Sequence, residues 1–356
     1  MSRDDDVPEP DRLEGAPHPR EARPLFGHEG HERALLDAYR AGRMPQALIL
    51  GGPEGIGKAS FAYRAARFLL AFPDPAAAAV RQADDLSVPA DHPAARRIAA
   101  QAHGGLFVLR RQWIPDKKRM PTEIPIDMVR DAIAFFSTTA AEGGWRVCII
   151  DSAEDLNRNS ANALLKVLEE PPARSLFLIV SHVPGRLLPT IRSRARLMAF
   201  RPLPEDLVFQ ALRAAAPPGA DEALMRRAAA LSRGSVRQAL KVLDEGTLAI
   251  VEHIRAALAR LPAIDWSDIH AIAESLAGRP NEAAFETMVE TVFHWLAEQA
   301  RERAGEGARR LAPLAEVWDK VARLVRETDS YNLDRRALVL TLFTELSEAL
   351  RASRAA

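Results

Sequence analysis

The chain has 356 residues, of which 47% are hydrophobic and 27% are charged, the balance of a globular protein with a sizeable core. Lys plus Arg and Asp plus Glu number 48 each, and this zero net charge excludes a protein that coats nucleic acid by bulk positive charge. The single cysteine, Cys148, excludes an internal disulfide, and its apolar neighbours predict a core residue. No apolar run approaches the ~20 residues that cross a membrane, and the N-terminus is not signal-like, so we expect a cytoplasmic protein without a membrane partner.

Hydrophobic patterning predicts a polar tail followed by strands and helices in alternation. Residues 1–24 are rich in Asp, Glu, Pro and Arg and are predicted to be disordered. The predicted strands are Ala47–Leu50, Gly105–Leu109, Arg146–Ile150, Leu176–Val180 and Arg196–Phe200. The helices predicted around them are Glu32–Ala41, Ala59–Phe72, Ile126–Thr138 and Ser160–Glu169, with irregular chain over Ala76–His92.

Strands that alternate with helices predict an α/β fold, in which a parallel sheet is covered by helices on both faces. From Pro204 onward the strand signals disappear, and amphipathic helices continue to the C-terminus. Breaks near Leu203 and Gly246 therefore predict three domains: an α/β domain over 25–203, a small helical domain over 204–246 and an all-helical domain over 247–356.

A phosphate-binding loop follows the first predicted strand. The segment Gly52–Lys58 matches the pattern G-x-x-x-x-G-K and opens the next predicted helix, which is the context that this motif requires. Its glycines, Gly52, Gly55 and Gly57, let backbone N–H groups curl around phosphate oxygens, and Lys58 reaches the outer phosphates. The sequence therefore predicts a P-loop domain.

Two residues that ATP hydrolysis normally needs are replaced. The position after Lys58 usually carries a hydroxyl that coordinates magnesium, but here it is Ala59. Asp151 ends the third predicted strand, where a magnesium-holding carboxylate belongs, but the water-polarising glutamate expected after it is Ser152. Glu154, two residues further, is predicted not to reach the same point. Since both losses affect one reaction, no hydrolysis by this chain alone is expected.

Several longer motifs resemble the clamp-loader branch of the AAA+ proteins. The likeness runs from about residue 25 to 245, and some of its motifs fit the delta-prime members of that branch. The motifs that carry it are Leu25–His28, Thr139–Arg146, Asp151–Asn157, Ala161–Pro172 and Leu188–Ala195. It is weaker in the C-terminal helices, where Asn332–Arg335 is similar.

The resemblance implies a pentameric machine that opens the sliding clamp and places it on primed DNA, with each ATP site lying between subunits. One subunit offers the arginine of a Ser-Arg-Cys motif to the ATP held by the next. The matching residues here are Ser193, Arg194 and Ala195, so the resemblance implies that Arg194 is an arginine finger supplied in trans. It also implies that Ser181 faces the terminal phosphate and that Arg237 is a second phosphate sensor.

The resemblance further implies a non-hydrolysing stator whose partners are the gamma/tau motor and delta subunits, the sliding clamp and primed DNA. Residues 204–246 would be the helical lid and 247–356 the collar that closes the ring, although the collar helices also fit a self-contained bundle. ATP or ADP is expected to bind weakly or not at all. Many relatives carry a four-cysteine zinc module after the P-loop helix, but Pro73–His92 contains no cysteine, so no zinc is expected.

Two other functions are compatible with a P-loop but fit the remaining residues less well. An ATP-hydrolysing AAA+ motor of the gamma/tau kind is the alternative, and Ala59 and Ser152 speak against it. A small-molecule P-loop kinase would need a substrate lid and acidic catalytic residues after the first strand. The Pro171-Pro172 stop and the Ser193-Arg194 motif are not typical of such a kinase.

Overall fold

A computed structural model gives the fold of the chain. The structure describes residues 9–10, 12–13, 16–21, 24–117, 119–137, 144–216, 219–277, 282–331 and 333–355. Parts of two family-like motifs, residues 139–143 and Asn332, lie outside the described residues. Within the described ranges, no helix is long and apolar enough to span a membrane. The chain divides into two compact units, Met1–Ala239 and Leu240–Ala356.

The first unit is built on a five-stranded parallel sheet with the order β2-β3-β4-β1-β5. The strands are β1 Ala47–Gly51, β2 Leu106–Leu109, β3 Arg146–Ile150, β4 Ser175–Ser181 and β5 Arg196–Ala199. All five predicted strands are therefore confirmed, with β3 in the bounds that its apolar run predicted. Because the strands are parallel and β1 lies between β4 and β5, the loops after β1, β3 and β4 emerge at one edge of the sheet.

Both faces of the sheet are covered, as the continuous apolar strands predicted. On β3, Val147 and Ile149 join one buried cluster, whereas Cys148 and Ile150 join a second cluster on the opposite face. The two clusters alternate along β1, β3 and β4 because successive side chains point to opposite faces. Cys148 is fully buried, and this burial raises the pKa of its thiol, so it is the core residue that the sequence predicted.

Ten α-helices begin within the described residues of the first unit. Their bounds are α1 Glu29–Arg40, α2 Lys58–Ala71, α3 Ala78–Gln82, α4 Pro93–Ala99, α5 Ile126–Ser137, α6 Arg158–Glu169, α7 Pro189–Arg192, α8 Glu205–Ala215, α9 Glu222–Leu231 and α10 Val236–Lys241. The prediction of irregular chain over Ala76–His92 is wrong for α3. This short helix forms because it buries Val80 in the core on the α2 side of the sheet.

Several described residues of the N-terminal segment contact α2 and the chain after β2. His18 is buried, and its ring lies edge-on against Tyr63 of α2 with 5.9 Å between centroids. The buried guanidinium of Arg67 donates to the carbonyl oxygens of Arg20 and Glu21 at 2.8 and 2.9 Å. For these residues the structure differs from the predicted disordered tail, because the buried guanidinium of Arg67 binds backbone carbonyl oxygens that would otherwise be hydrated.

The second unit consists of helices around a core of their own. Their bounds are α11 Glu245–Arg260, α12 Trp266–Ser275, α13 Glu282–Glu302, α14 Ala308–Tyr331 and α15 Arg335–Ala355. Helices continue to the end of the described chain, as the amphipathic pattern predicted, and α14 contains Pro313. Phe343 of α15 is fully buried at the centre of this core. The predicted division of the chain into three domains stays a prediction.

Candidate functional site

The P-loop lies between β1 and α2, as its motif predicted. Gly52 comes so close to the chain after β5 that a Cβ atom there would lie 2.4 Å from the carbonyl oxygen of Phe200. Its N–H donates to the carbonyl oxygen of Ser181 at 3.2 Å, which ties the loop to the end of β4. The buried His28, just before α1, also supports the loop, since its Nε2 donates to the carbonyl oxygen of Ile56 at 2.6 Å.

Lys58 is the first residue of α2 and is 3% exposed. Its ammonium donates to the carbonyl oxygen of Gly52 at 2.6 Å and to that of Pro53. Burial lowers the pKa of Lys58 to about 8, although the carboxylates of Glu54, Asp151 and Glu154 act in the opposite direction. A buried cation at the start of a helix is placed to attract phosphate oxygens.

Of the side chains that would hold a metal ion and activate a water, one is present and two are replaced. Asp151 follows β3 directly and is 9% exposed, so one carboxylate stands at the sheet edge. Ala59 presents a methyl group next to Lys58, and a methyl group cannot coordinate a metal. Ser152 takes the place of the glutamate, and its hydroxyl donates to Glu154 at 3.2 Å.

Glu154 is a site residue whose contacts the sequence reasoning missed. Its carboxylate accepts hydrogen bonds from the hydroxyl of Ser181 and from the backbone N–H of Val183, the latter at 2.8 Å. Ser181 is fully buried at the end of β4. The only sequence signal was that Glu154 lies three residues after Asp151. Its contact with Ser181 depends on how β3 and β4 are paired, which the sequence does not show.

The helix α10 packs directly on the P-loop. The backbone N–H of Arg237 donates to the carbonyl oxygen of Gly55 at 3.3 Å, and its guanidinium forms an ion pair with Glu54, also at 3.3 Å. Gly55 has a φ of +76°, and a Cβ atom there would lie 2.3 Å from the Ser235 hydroxyl oxygen. Arg237, the predicted second sensor, therefore lies at the P-loop and is held by the carboxylate of Glu54.

Arg194 lies apart from the P-loop residues, just after α7. Its guanidinium forms an ion pair with Glu169 at 2.6 Å and donates to the carbonyl oxygen of Thr190 at 3.0 Å. One third of its side chain is exposed. An exposed ion pair of this kind contributes ~0.2–1 kcal/mol, so the guanidinium can leave Glu169 at low cost.

The site therefore fits the phosphates of a nucleotide only in part. Lys58 and the glycine loop suit one or two phosphates. The methyl of Ala59 and the hydrogen bond between Ser181 and Glu154 do not suit a terminal phosphate carried with magnesium. Over the described part of the chain, no three His, Cys, Asp or Glu side chains cluster as metal ligands. The predicted absence of zinc stays a prediction.

Comparison with known proteins points to one family. The family described as DNA polymerase III, delta subunit, matches residues 27–204, half of the chain. The DNA polymerase III subunit delta' of Pseudomonas aeruginosa is 38% identical over 56% of this chain. The match also spans just over half (56%) of that relative's own length.

Two further relatives are named as subunits of DNA polymerase III. The subunit delta' of Escherichia coli is 30% identical over 74% of this chain and 71% of its own length. The subunit gamma/tau of Mycobacterium bovis is 31% identical over 62% of this chain and 36% of its own length. With a P-loop sheet, a family match over half the chain and a relative covered over more than two thirds of its length, the chain belongs to the delta' family of DNA polymerase III clamp-loader subunits.

Proposed function

We propose that this chain is a non-hydrolysing stator of the clamp loader that presents Arg194 to an ATP site on a neighbouring subunit. Its partners would be the gamma/tau motor and delta subunits, and the assembly would place the sliding clamp on primed DNA. One observation carries the proposal: Ala59 and Ser152 replace two hydrolytic residues, whereas Arg194 stays exposed beside α7.

The proposed role of Arg194 rests on transition-state electrostatics. An arginine finger neutralises charge that develops on the transferred phosphoryl group and is worth ~10³ to 10⁵ in rate. A subunit with a degenerate site therefore still controls hydrolysis next door. The exposed ion pair with Glu169 is weak, so a neighbouring phosphate can compete for the guanidinium.

The first experiment is steady-state ATP turnover by the purified chain with magnesium. We expect turnover no higher than that of the Lys58→Ala variant, since Ala59 offers no metal ligand. Turnover well above background that disappears in Lys58→Ala would instead support the alternative, a motor subunit of the gamma/tau kind.

The second experiment uses the clamp-loader complex reconstituted from purified subunits. Arg194→Ala should remove the ATP turnover of the one site that it serves, and clamp loading should slow accordingly. Arg192→Ala is the matched control, because it removes the same charge from an exposed residue at the end of α7, two positions away from Arg194. Equal turnover in the wild-type and Arg194→Ala complexes would refute the assignment of the finger.

A further inference from the structure

Both carboxylate oxygens of Glu154 accept hydrogen bonds at the carboxyl ends of β3 and β4, beside the P-loop. One oxygen accepts from the buried hydroxyl of Ser181 and from the N–H of Val183 at 2.8 Å. The other oxygen accepts from the hydroxyl of Ser152 at 3.2 Å. Three donors from the ends of two neighbouring strands therefore point at one anionic group.

Glu154 is ionised in this environment. Burial by itself raises its pKa, but hydrogen bonds from the hydroxyl of Ser181 and the backbone N–H of Val183 hold the pKa of Glu154 below its usual value. The negative charge of Glu154 also raises the pKa of Lys58, so the carboxylate and the ammonium interact electrostatically. A carboxylate with its oxygens bonded and its pKa lowered is a poor general base.

The same donors are those that a terminal phosphate would need. If Ser181 faces that phosphate, as the family resemblance implies, the phosphate would have to displace Glu154 from the hydroxyl and would then lie beside the negative charge of Glu154. Two like charges in a partly buried site repel strongly, and an anion that loses its donors there is poorly compensated.

We propose that Glu154 acts as an internal substitute for the terminal phosphate, so that the P-loop discriminates against nucleoside triphosphates and favours diphosphates. This inference rests on the proposed role of Ser181 but not on the finger role of Arg194. Glu154 is thus a specificity-determining residue, and it accounts for a P-loop that keeps its glycines and Lys58 in a chain proposed not to hydrolyse ATP.

The test is nucleotide binding by the isolated full-length chain, which does not depend on partner subunits. Glu154→Gln keeps an oxygen that accepts from Ser181 and Val183 but removes the charge. Its affinity for ATPγS, measured by isothermal titration, should rise at least about tenfold over wild type, while its affinity for ADP changes much less. Asp127→Asn is the matched control, because it removes one exposed carboxylate elsewhere in the same unit.

Unchanged or weaker ATPγS binding by Glu154→Gln, or no measurable binding, would overturn the proposal. Should that variant fail to fold, two other measurements decide. Wild-type protein should bind ADP at least about tenfold more tightly than ATPγS, and equal affinities contradict the proposal. Ser181→Ala should leave ATPγS affinity within about twofold of wild type, because Glu154 already holds the hydroxyl; a larger loss shows that the serine serves the nucleotide.

A failure here is distinguishable from a failure of the stator function. Binding of ATPγS and ADP by the isolated chain tests Glu154 alone. ATP turnover in the reconstituted complex with Arg194→Ala tests the finger, whatever the P-loop of this chain binds.

Discussion

The guanidinium of Arg194 lies 2.6 Å from the carboxylate of Glu169, which joins the residue after α7 to the end of α6. A second nitrogen of Arg194 donates to the carbonyl oxygen of Thr190 at 3.0 Å and to the hydroxyl of Ser193 at 3.2 Å. Three acceptors therefore orient a side chain that is one third exposed. This pre-orientation reduces the rotamer entropy that the arginine would lose on reaching a neighbouring phosphate.

We expect Glu169→Gln to impair the proposed finger less than Arg194→Ala does. The amide keeps a hydrogen-bond acceptor but loses the charge, so the guanidinium is oriented less firmly. ATP turnover in the reconstituted complex should fall about two- to tenfold at the affected site, compared with about 10³-fold or more for Arg194→Ala. Glu170→Gln, one residue further along, is the control; a loss as large as that of Glu169→Gln would contradict this role.

Lys58 should make the stability of the first unit depend on pH above about 8. Its pKa is lowered by burial to about 8 in the folded chain, from the ordinary value of 10.5. Between these values the folded state binds fewer protons than the unfolded state, so the free energy of unfolding rises with pH. The cost of burying the charged lysine, about 3 kcal/mol at most, is present below pH 8 and relieved by pH 10.5.

Chemical denaturation at several pH values between 7 and about 10.5 measures this effect. The difference in unfolding free energy between wild type and Lys58→Met should shift in favour of wild type as the pH rises. Lys166→Met, at an exposed lysine on α6, should follow wild type throughout. Parallel profiles for wild type and Lys58→Met would contradict the prediction.

Gly55 should tolerate no side chain, because α10 packs on it. Gly55→Ala places a Cβ atom 2.5 Å from the Cβ of Arg237 and forces alanine into a φ of +76°. Gly42 offers a matched control, since its φ is +63° but no atom lies within 4 Å of a Cβ there. We expect Gly55→Ala to lower the free energy of unfolding by about 1–3 kcal/mol more than Gly42→Ala, the cost of overpacking. Equal losses would show that α10 does not restrict the loop.

The N-terminal segment should be held by Arg67. Arg67→Met keeps most of the side-chain volume but leaves the carbonyl oxygens of Arg20 and Glu21 without this donor. The free energy of unfolding should fall by about 2 kcal/mol, and proteolysis within the first 24 residues should accelerate. Arg33→Met on the exposed side of α1 should change neither quantity. An unchanged proteolysis rate in Arg67→Met would show that the segment is not held in this way.

The sequence by itself determined the elements whose signal is local. The run Arg146–Ile150 became β3 in its predicted bounds, because a continuous apolar stretch fits a strand buried on both faces. The spacing from Gly52 to Lys58 placed the P-loop between β1 and α2, since loop, glycines and lysine are neighbours in the chain. Replacement of hydrolytic residues at Ala59 and Ser152 was likewise readable without a structure.

Only the tertiary structure decided the contacts between distant residues. Glu154 meets Ser181 because β3 and β4 pair in parallel and bring their carboxyl ends together, although 27 residues separate the two side chains. Arg67 holds the carbonyl of Arg20, 47 residues away, so a polar segment that reads as disordered is packed where it is described. Hydrophobic period and motif spacing act over a few residues, whereas these contacts depend on sheet order and helix packing, which a local pattern does not encode.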